Sequence, residues 1–176
     1  EIGSGAGTDH DFLSRYGSVT GIEINPTGLD YCRARGYGQL IAGDLNSVEL
    51  PAERFDLAVD FHVLYHSWVR SPAEVLQRMR QSLRPGGRLM VSEPAYMLLR
   101  RAHDDVVMAA RRWTRRALLD LISSSGFEVE RCSGFLTLIM PVVLLSVLQD
   151  RLRPYAHDIG ELHPPGPVLD RALRAV

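Results

Sequence analysis

Short runs rich in β-branched and other apolar residues alternate along this chain with longer stretches whose apolar positions recur every three or four residues. That pattern predicts strands interleaved with helices, as in a parallel sheet covered by helices. Strands are expected at 19–23, 39–42, 55–61, 87–92 and 127–132. A first helix is expected to open near Thr8, with Phe12, Leu13 and Tyr16 giving apolar spacings of one, three and four. A second follows Asn25, with Pro26 in its first turn and Gly36 beyond its end.

The sharpest helix start is Ser71-Pro72-Ala73-Glu74: the serine caps, the proline takes the first helical position, and the glutamate can bond back as a capping box. Val75, Leu76, Met79 and Leu83 then form its buried stripe, and Arg84-Pro85-Gly86-Gly87 turns the chain into the next strand. Another helix runs from Thr114 as cap to Gly126, with Leu118, Leu119 and Ile122 facing inward. Residues 135–140 read as a buried last strand. Residues 141–148 are apolar on almost all sides and read as a hidden core helix, with a substrate pocket, a peripheral membrane contact or a partner subunit as the other uses of such a surface. From Pro154 the chain is rich in Pro and Gly up to Pro167 and then helical, so the expected organisation is one domain over 1–153 and a tail or truncated helical element over 154–176.

Composition narrows the function. At 176 residues, 45% apolar and 23% charged, the chain is sized for a domain burying roughly 70% of its unfolded surface, which excludes disordered, collagenous and miniprotein classes. A net charge of −1 and a pI near 6.7 argue against nucleic acid as a partner held by bulk positive charge. All 20 basic residues are arginine, which removes Schiff-base and P-loop lysine chemistry. Cys32 and Cys132 read as reduced thiols of a cytoplasmic protein. No signal peptide is seen at the start, and the longest apolar run, broken by Pro141, falls short of the ~20 residues that span a bilayer. No histidines or cysteines fall at metal-ligand spacing, so no metal site is expected.

The candidate chemistry begins at the first residues. Glu1-Ile2-Gly3-Ser4-Gly5-Ala6-Gly7 sets three glycines on alternate positions, a spacing that lets a strand-to-helix turn come within contact of a ligand. The dinucleotide pattern Gly-x-Gly-x-x-Gly is not met, because Thr8 or His10 stands where its last glycine belongs. Glu23 ends the next strand, where a carboxylate can accept both hydroxyls of a ribose. Asp44 follows the strand after that and can accept from an exocyclic amine such as adenine's. A glycine turn and two carboxylates on three successive strands describe a nucleoside site with nothing dedicated to phosphate.

In order along the chain, Glu1-x-Gly3-x-Gly5-x-Gly7, Glu23, Gly43-Asp44, Phe55-Asp56-Leu57-Ala58-Val59, Leu83-Arg84-Pro85-Gly86-Gly87-Arg88-Leu89 and Ser125-Gly126-Phe127 resemble the class I S-adenosylmethionine-dependent methyltransferases, in particular the type 11 group. The resemblance implies a Rossmann-like three-layer α/β sandwich with a mostly parallel seven-stranded sheet and helices on both faces. It also implies that Glu1 ends the first strand, so that much of that strand is expected to precede this sequence. S-adenosyl-L-methionine is the implied cofactor. Gly3, Gly5 and Gly7 would pass along its methionine part, with Glu1 holding that loop or contacting the amino group. Glu23 would bind the ribose, Ile24 would pack on the adenine face, Asp44 and the Leu45 amide would read the adenine edge, and Phe61 and His62 would border the transferred methyl.

His103-Asp104 and Arg111-Arg112-Trp113-Thr114-Arg115 resemble a bacterial subgroup with an HD…HxRRYxxxxL pattern; here Trp113 replaces the tyrosine and Ala109 the second histidine. The implied activity is methyl transfer to oxygen, carbon or nitrogen of a small molecule. Positioning can carry most of that reaction, and His62, His66, His103 and Asp104 are the candidate bases where the acceptor is a hydroxyl. For His66 an opening position in the loop is the plainer role, and for His103 and Asp104 a polar fastening of a lid. Arg111, Arg112, Arg115 and Arg116 offer charge to an anionic or lipid-linked acceptor. The rival readings are a catalytically silent S-adenosylmethionine-binding domain, a nicotinamide-dependent oxidoreductase, disfavoured by the glycine spacing, and an RNA-modifying enzyme, disfavoured by the charge.

Overall fold

The computed structural model describes residues 1–134 and 140–152. Strands β1 (Thr20–Glu23) and β2 (Gln39–Ala42) pair in parallel, in register from Thr20 opposite Gln39 to Glu23 opposite Ala42. Strands β3 (Phe55–Phe61) and β4 (Leu83–Ser92) also pair in parallel, with Phe61 opposite Ser92. Ile2 joins the two pairs. It bridges Ile22 on one side and Asp60 on the other; its amide donates to the Val59 carbonyl at 3.0 Å, and Ile22 N donates to the Glu1 carbonyl at 2.9 Å. Glu23, Ala42, Phe61 and Ser92 therefore end at one edge of the parallel strands, where residues 3–7 turn away from Ile2.

The expected α/β pattern with parallel pairing is present, and the described residues contain four strands. Residues 127–132 do not form the fifth one expected. Phe127 N closes the preceding helix on the Ile122 carbonyl, the Arg80 guanidinium donates to the Gly126 carbonyl at 2.8 Å, and Arg88 pairs with Glu130 at 3.4 Å. The segment is held by arginine side chains, and a strand needs a backbone ladder. The strand expected at 135–140 lies outside the described residues except for Met140, which opens α6; the tail at 154–176 lies wholly outside them.

Helices follow their caps. Asn25 accepts from Thr27 N at 2.9 Å and starts α2 (Pro26–Ala34). Ser71 accepts from Glu74 N at 3.3 Å and starts α3 (Pro72–Ser82), and Thr114 accepts from Ala117 N at 3.1 Å and starts α5 (Arg115–Ser124). The short helix α1 (His10–Leu13) begins two residues after the expected Thr8. A 3-10 turn, Met97–Leu99, precedes α4 (Ala102–Val106). Strand β4 starts at Leu83 rather than at 87, because Leu83 already pairs with Phe55 and the following four residues loop out before Arg88 meets Leu57.

The core gathers Ile2 and Ile22 from the strands with Val75, Leu76 and Met79 from α3 and Leu64 from the loop after β3. Each such side chain contributes about 1.5–3 kcal/mol of apolar burial. Leu118, Leu119 and Ile122 of α5 are only half-buried, because this helix lies along a cleft. The reading of 141–148 as a hidden core helix is not met: α6 (Met140–Leu152) buries Val147 but leaves Val142, Leu144, Leu145 and Leu148 exposed. No helix among the described residues is long and apolar enough to cross a membrane.

Candidate cofactor and acceptor site

Gly3, Gly5 and Gly7 all have positive φ, +59°, +53° and +72°, a region that costs other residues steric strain. They serve different purposes. A Cβ on Gly3 would sit 2.7 Å from Val63 Cγ2, so the loop packs directly on the residues after β3; a Cβ on Gly5 would meet nothing nearer than 3.8 Å, so this backbone is open to a ligand.

Glu23 organises the loop from the far side. Its buried carboxylate accepts from Gly5 N at 2.7 Å, Ile24 N at 2.9 Å and Asn25 N at 2.7 Å. Ile24, next in sequence, is 55% exposed and presents an unpartnered apolar face at the same edge. Glu1 fastens the loop base: its carboxylate accepts from the Tyr37 hydroxyl. Burial pushes the Glu1 carboxyl above its ordinary value, and burial together with the bond to Glu1 pushes the Tyr37 hydroxyl up as well.

Asp44 follows β2. Its carboxylate accepts the Asn46 amide at 2.8 Å and the Asn46 side chain at 2.6 Å, and the Asn46 amide is the main reason its pKa lies below the usual range. Asn46 in turn donates to the Trp68 carbonyl at 2.9 Å, which fixes the loop from behind. Leu45 is buried, with its carbonyl held by Arg78 at 2.9 Å. Asp44 Oδ2 has only a 3.7 Å ion pair with exposed Arg70, so one oxygen stays open to a ligand donor.

At the end of β3, His62 adopts φ +60°. Its amide donates to the Ser92 carbonyl at 2.9 Å, its Nε2 lies 3.5 Å from Ser92 Oγ, and burial pushes its pKa down, so the imidazole is neutral at pH 7. Phe61 and His62 line a cleft with Ser92, Glu93, Tyr96 and Trp113. The cleft runs on along β4, and Glu23, Ile24 and Asp44 lie outside its lining.

The other expected residues fall elsewhere. His103 is exposed, and neither it nor Asp104 lines the cleft. Asp104 is buried, accepting from Arg112 at 2.8 and 3.1 Å and from Arg101 N at 2.8 Å. Burial works against its charge, but Arg112 prevails and holds the carboxyl below its usual range. Asp104 thus ties α4 to the Arg112 segment. Arg111 donates to the carbonyls of Leu64, His66 and Val69 at 3.2, 2.8 and 2.8 Å. Arg111 and Arg112 are therefore engaged within the chain. Arg116 pairs with Asp120 at 3.7 Å, and Arg115 lines the cleft.

Three features escaped the sequence reading. Gly28 is one: a Cβ there would lie 2.8 Å from the Gly5 carbonyl and 2.9 Å from Glu23 Cγ, so α2 seats against the loop only through a glycine. The second and third are Asp60, fully buried in β3, and Glu93, just beyond β4. The visible signal was a carboxylate inside the apolar run Leu57-Ala58-Val59-Asp60-Phe61. Among the described residues no group of three or more His, Cys, Asp or Glu side chains is placed to hold a metal ion.

The arrangement fits an adenosine-bearing cofactor: an open glycine backbone, a buried strand-end carboxylate, a bare apolar side chain and a second carboxylate with a free oxygen. Comparison with known proteins agrees. Residues 1–91 match the methyltransferase domain family. A probable S-adenosylmethionine-dependent methyltransferase of Mycolicibacterium smegmatis is 29% identical over 139 residues, 76% of this chain and 53% of that protein. An S-adenosylmethionine-dependent methyltransferase structure from Mesorhizobium loti superposes with a TM-score of 0.65 at 22% identity, over 86% of this chain and 84% of the other. The [4+2]-cyclase SpnF superposes with a TM-score of 0.64 at 19% identity, over 96% of this chain and 64% of the other. The chain spans about half the length, or less, of the curated relatives it matches. With a Rossmann-like α/β fold and a family match over half its length, this chain belongs to the S-adenosylmethionine-dependent methyltransferase domain family.

Proposed function

We propose that this chain binds S-adenosyl-L-methionine and serves a methyl transfer to oxygen, carbon or nitrogen of a small-molecule acceptor in the cytoplasm. The observation that carries the reading is the Glu23 carboxylate, which gathers the Gly5, Ile24 and Asn25 amides and leaves the Ile24 side chain bare beside it. In this reading the sheet is the seven-stranded one of the family.

Gly3, Gly5 and Gly7 would carry the methionine part, with Glu1 holding their turn through Tyr37. Glu23 would accept a ribose hydroxyl at the site its three amides leave on Oε2, Ile24 would cover the adenine, and Asp44 with the Leu45 amide would read its edge. Phe61 and His62 would border the methyl. When bound, the cofactor supplies an electrophilic methyl on a sulfonium, whose in-line transfer depends above all on alignment. His62, neutral at pH 7 and beside Ser92, is the group here able to take a proton from a hydroxyl or amine acceptor. His103 and Asp104 act at most by holding the neighbouring segment. Arg115 faces the cleft and suits an anionic or lipid-linked acceptor.

Calorimetry with S-adenosylhomocysteine tests the reading, using Asp44→Ala as the variant that should bind at least about tenfold more weakly through loss of a charged acceptor. Equal binding in the variant, or a preference for NAD, sinks it. Formation of S-adenosylhomocysteine from S-adenosylmethionine in the presence of cell extract then tests turnover. A second reading, a cofactor-binding domain that does not transfer methyl, draws support from the likeness to a cyclase of this fold.

A further inference from the structure

Asp60 stands on β3 and Glu93 just past the end of its parallel neighbour β4, at the edge where the glycine loop turns. Register places Phe61 opposite Ser92, so Glu93 lies one residue past the end of the β3–β4 ladder. Its two oxygens face different parts of the molecule. Oε1 accepts from Val63 N at 3.0 Å and Leu64 N at 2.9 Å; Oε2 accepts from the Trp113 indole at 3.1 Å. Asp60 Oδ1 accepts from the same Val63 amide at 3.2 Å, and Oδ2 is buried with no hydrogen-bond partner.

Val63 is the residue on which Gly3 packs, with no room for a Cβ between them. Trp113 belongs to a different segment, bridged to Ala95 and flanked by Arg111, which binds the Leu64, His66 and Val69 carbonyls, and by Arg112, which binds Asp104. A continuous contact thus runs from Gly3 through Val63 and Glu93 to the Trp113 indole, beside the Arg111 bonds to the Leu64, His66 and Val69 carbonyls.

We propose that Glu93 is a positioning residue that ties the Trp113 segment to the turn at 62–64, so that occupancy of the glycine loop and placement of the acceptor-side wall of the cleft are coupled. This rests on the reading of the loop as the cofactor site. A ligand that fixes Gly3 and Val63 fixes the Val63 and Leu64 amides, these fix Oε1, and the rigid carboxylate fixes the oxygen that receives the indole. Coupling of this kind is reciprocal in binding free energy.

The test uses the full chain carrying Trp68→Phe, which leaves Trp113 as the only tryptophan. Acrylamide quenching of its fluorescence is measured with and without S-adenosylhomocysteine, and binding is followed by calorimetry. Bound ligand should shield Trp113 in the Trp68→Phe protein. In Glu93→Gln made on that background, the amide keeps an oxygen for the Val63 and Leu64 amides but turns an NH2 toward the indole N–H. Shielding should be lost there while binding is still measurable. Persistent shielding in Glu93→Gln overturns the proposal, as does ligand binding that leaves Trp113 quenching unchanged in the Trp68→Phe protein. Absence of any binding in the parent protein instead overturns the cofactor reading itself. If Glu93→Gln does not fold, Trp113→Phe in the native background removes the donor alone. Reciprocity then predicts about a fivefold or larger loss of S-adenosylhomocysteine affinity at an unchanged melting temperature, and an unchanged affinity overturns the coupling.

Discussion

Gly5 and Glu23, eighteen residues apart, are joined by a 2.7 Å hydrogen bond from the Gly5 amide to the Glu23 carboxylate. The same carboxylate takes the Ile24 and Asn25 amides, at 2.9 and 2.7 Å. Three N–H donors on a group with about four lone-pair sites leave one site, on Oε2, so Glu23 can accept a single ribose hydroxyl, from a direction already fixed.

Replacing Glu23 with alanine should therefore act twice. Each hydrogen bond to a charged group contributes about 1.5–3 kcal/mol, so S-adenosylhomocysteine affinity should fall roughly ten- to a hundredfold. The urea midpoint should fall too, because three backbone amides lose their acceptor. Calorimetry and urea titration of the variant check both, and unchanged affinity removes Glu23 from the site.

Gly28→Ala should destabilise despite lying in a helix, where alanine is ordinarily favoured by about 1 kcal/mol. Its Cβ would lie 2.8 Å from the Gly5 carbonyl, and such overpacking costs about 1–3 kcal/mol. The loop it displaces is the proposed cofactor loop, so ligand affinity should drop with stability. Gly38→Ala, with nothing within 4 Å, is the control and should leave affinity unchanged. Equal thermal melting of Gly28→Ala and wild type would show that the loop yields at no cost.

The buried carboxyl pair predicts a pH dependence. Burial, reinforced by Glu93, raises Asp60 well above its usual value; burial pushes Glu93 up to about 7 from 4.5. The nearby Tyr65 hydroxyl is itself pushed up, by burial and then by the Glu93 charge. A folded pKa above the unfolded one means that this contribution to stability is complete below about pH 4.5 and is lost as pH rises through about 7. Asp104 and Asp44, held below their usual range, work the other way and lose their contribution in acid. Urea midpoints should therefore fall between about pH 5 and about pH 7.5 by less than the carboxyl pair alone would give, because His62 and His66, pushed down by burial, gain stability over the same range. Glu93→Gln should flatten the decline; a slope unaltered in that variant would place the titrating group elsewhere.

Arg111 should resist conservative replacement. Its guanidinium reaches three carbonyls at 2.8 to 3.2 Å, a span that a lysine ammonium on a single point of attachment does not match. Both Arg111→Ala and Arg111→Lys should lose about 2–4 kcal/mol in urea unfolding, since buried carbonyls lose charged donors in each. Full rescue by lysine would argue that only the charge matters.

The helix starts were legible because they are local: Asn25, Ser71 and Thr114 accept the backbone amides that their capping role requires. The strands at 39–42 and 55–61 were legible from their apolar runs, and the glycine and acid spacing located the candidate site at one sheet edge. The strand expected at 127–132 failed because a strand is made by its neighbour, and here arginine side chains meet the segment instead. Arg111 and Arg112 were read as charge for a substrate because nothing in their own spacing says that Asp104 and three carbonyls will consume it.

The sequence by itself determined the alternation of strand and helix, the helix caps and the family, since these rest on spacings within a few residues or on motifs in fixed order. Tertiary structure alone decided that Ile2 joins two pairs of parallel strands, that Gly28 must be small, and that Glu93 meets Trp113 twenty residues away. Those relationships depend on which backbones are brought together in space, and packing distance and burial, which set the Asp60 and Glu93 ionisation, have no local signature along the chain.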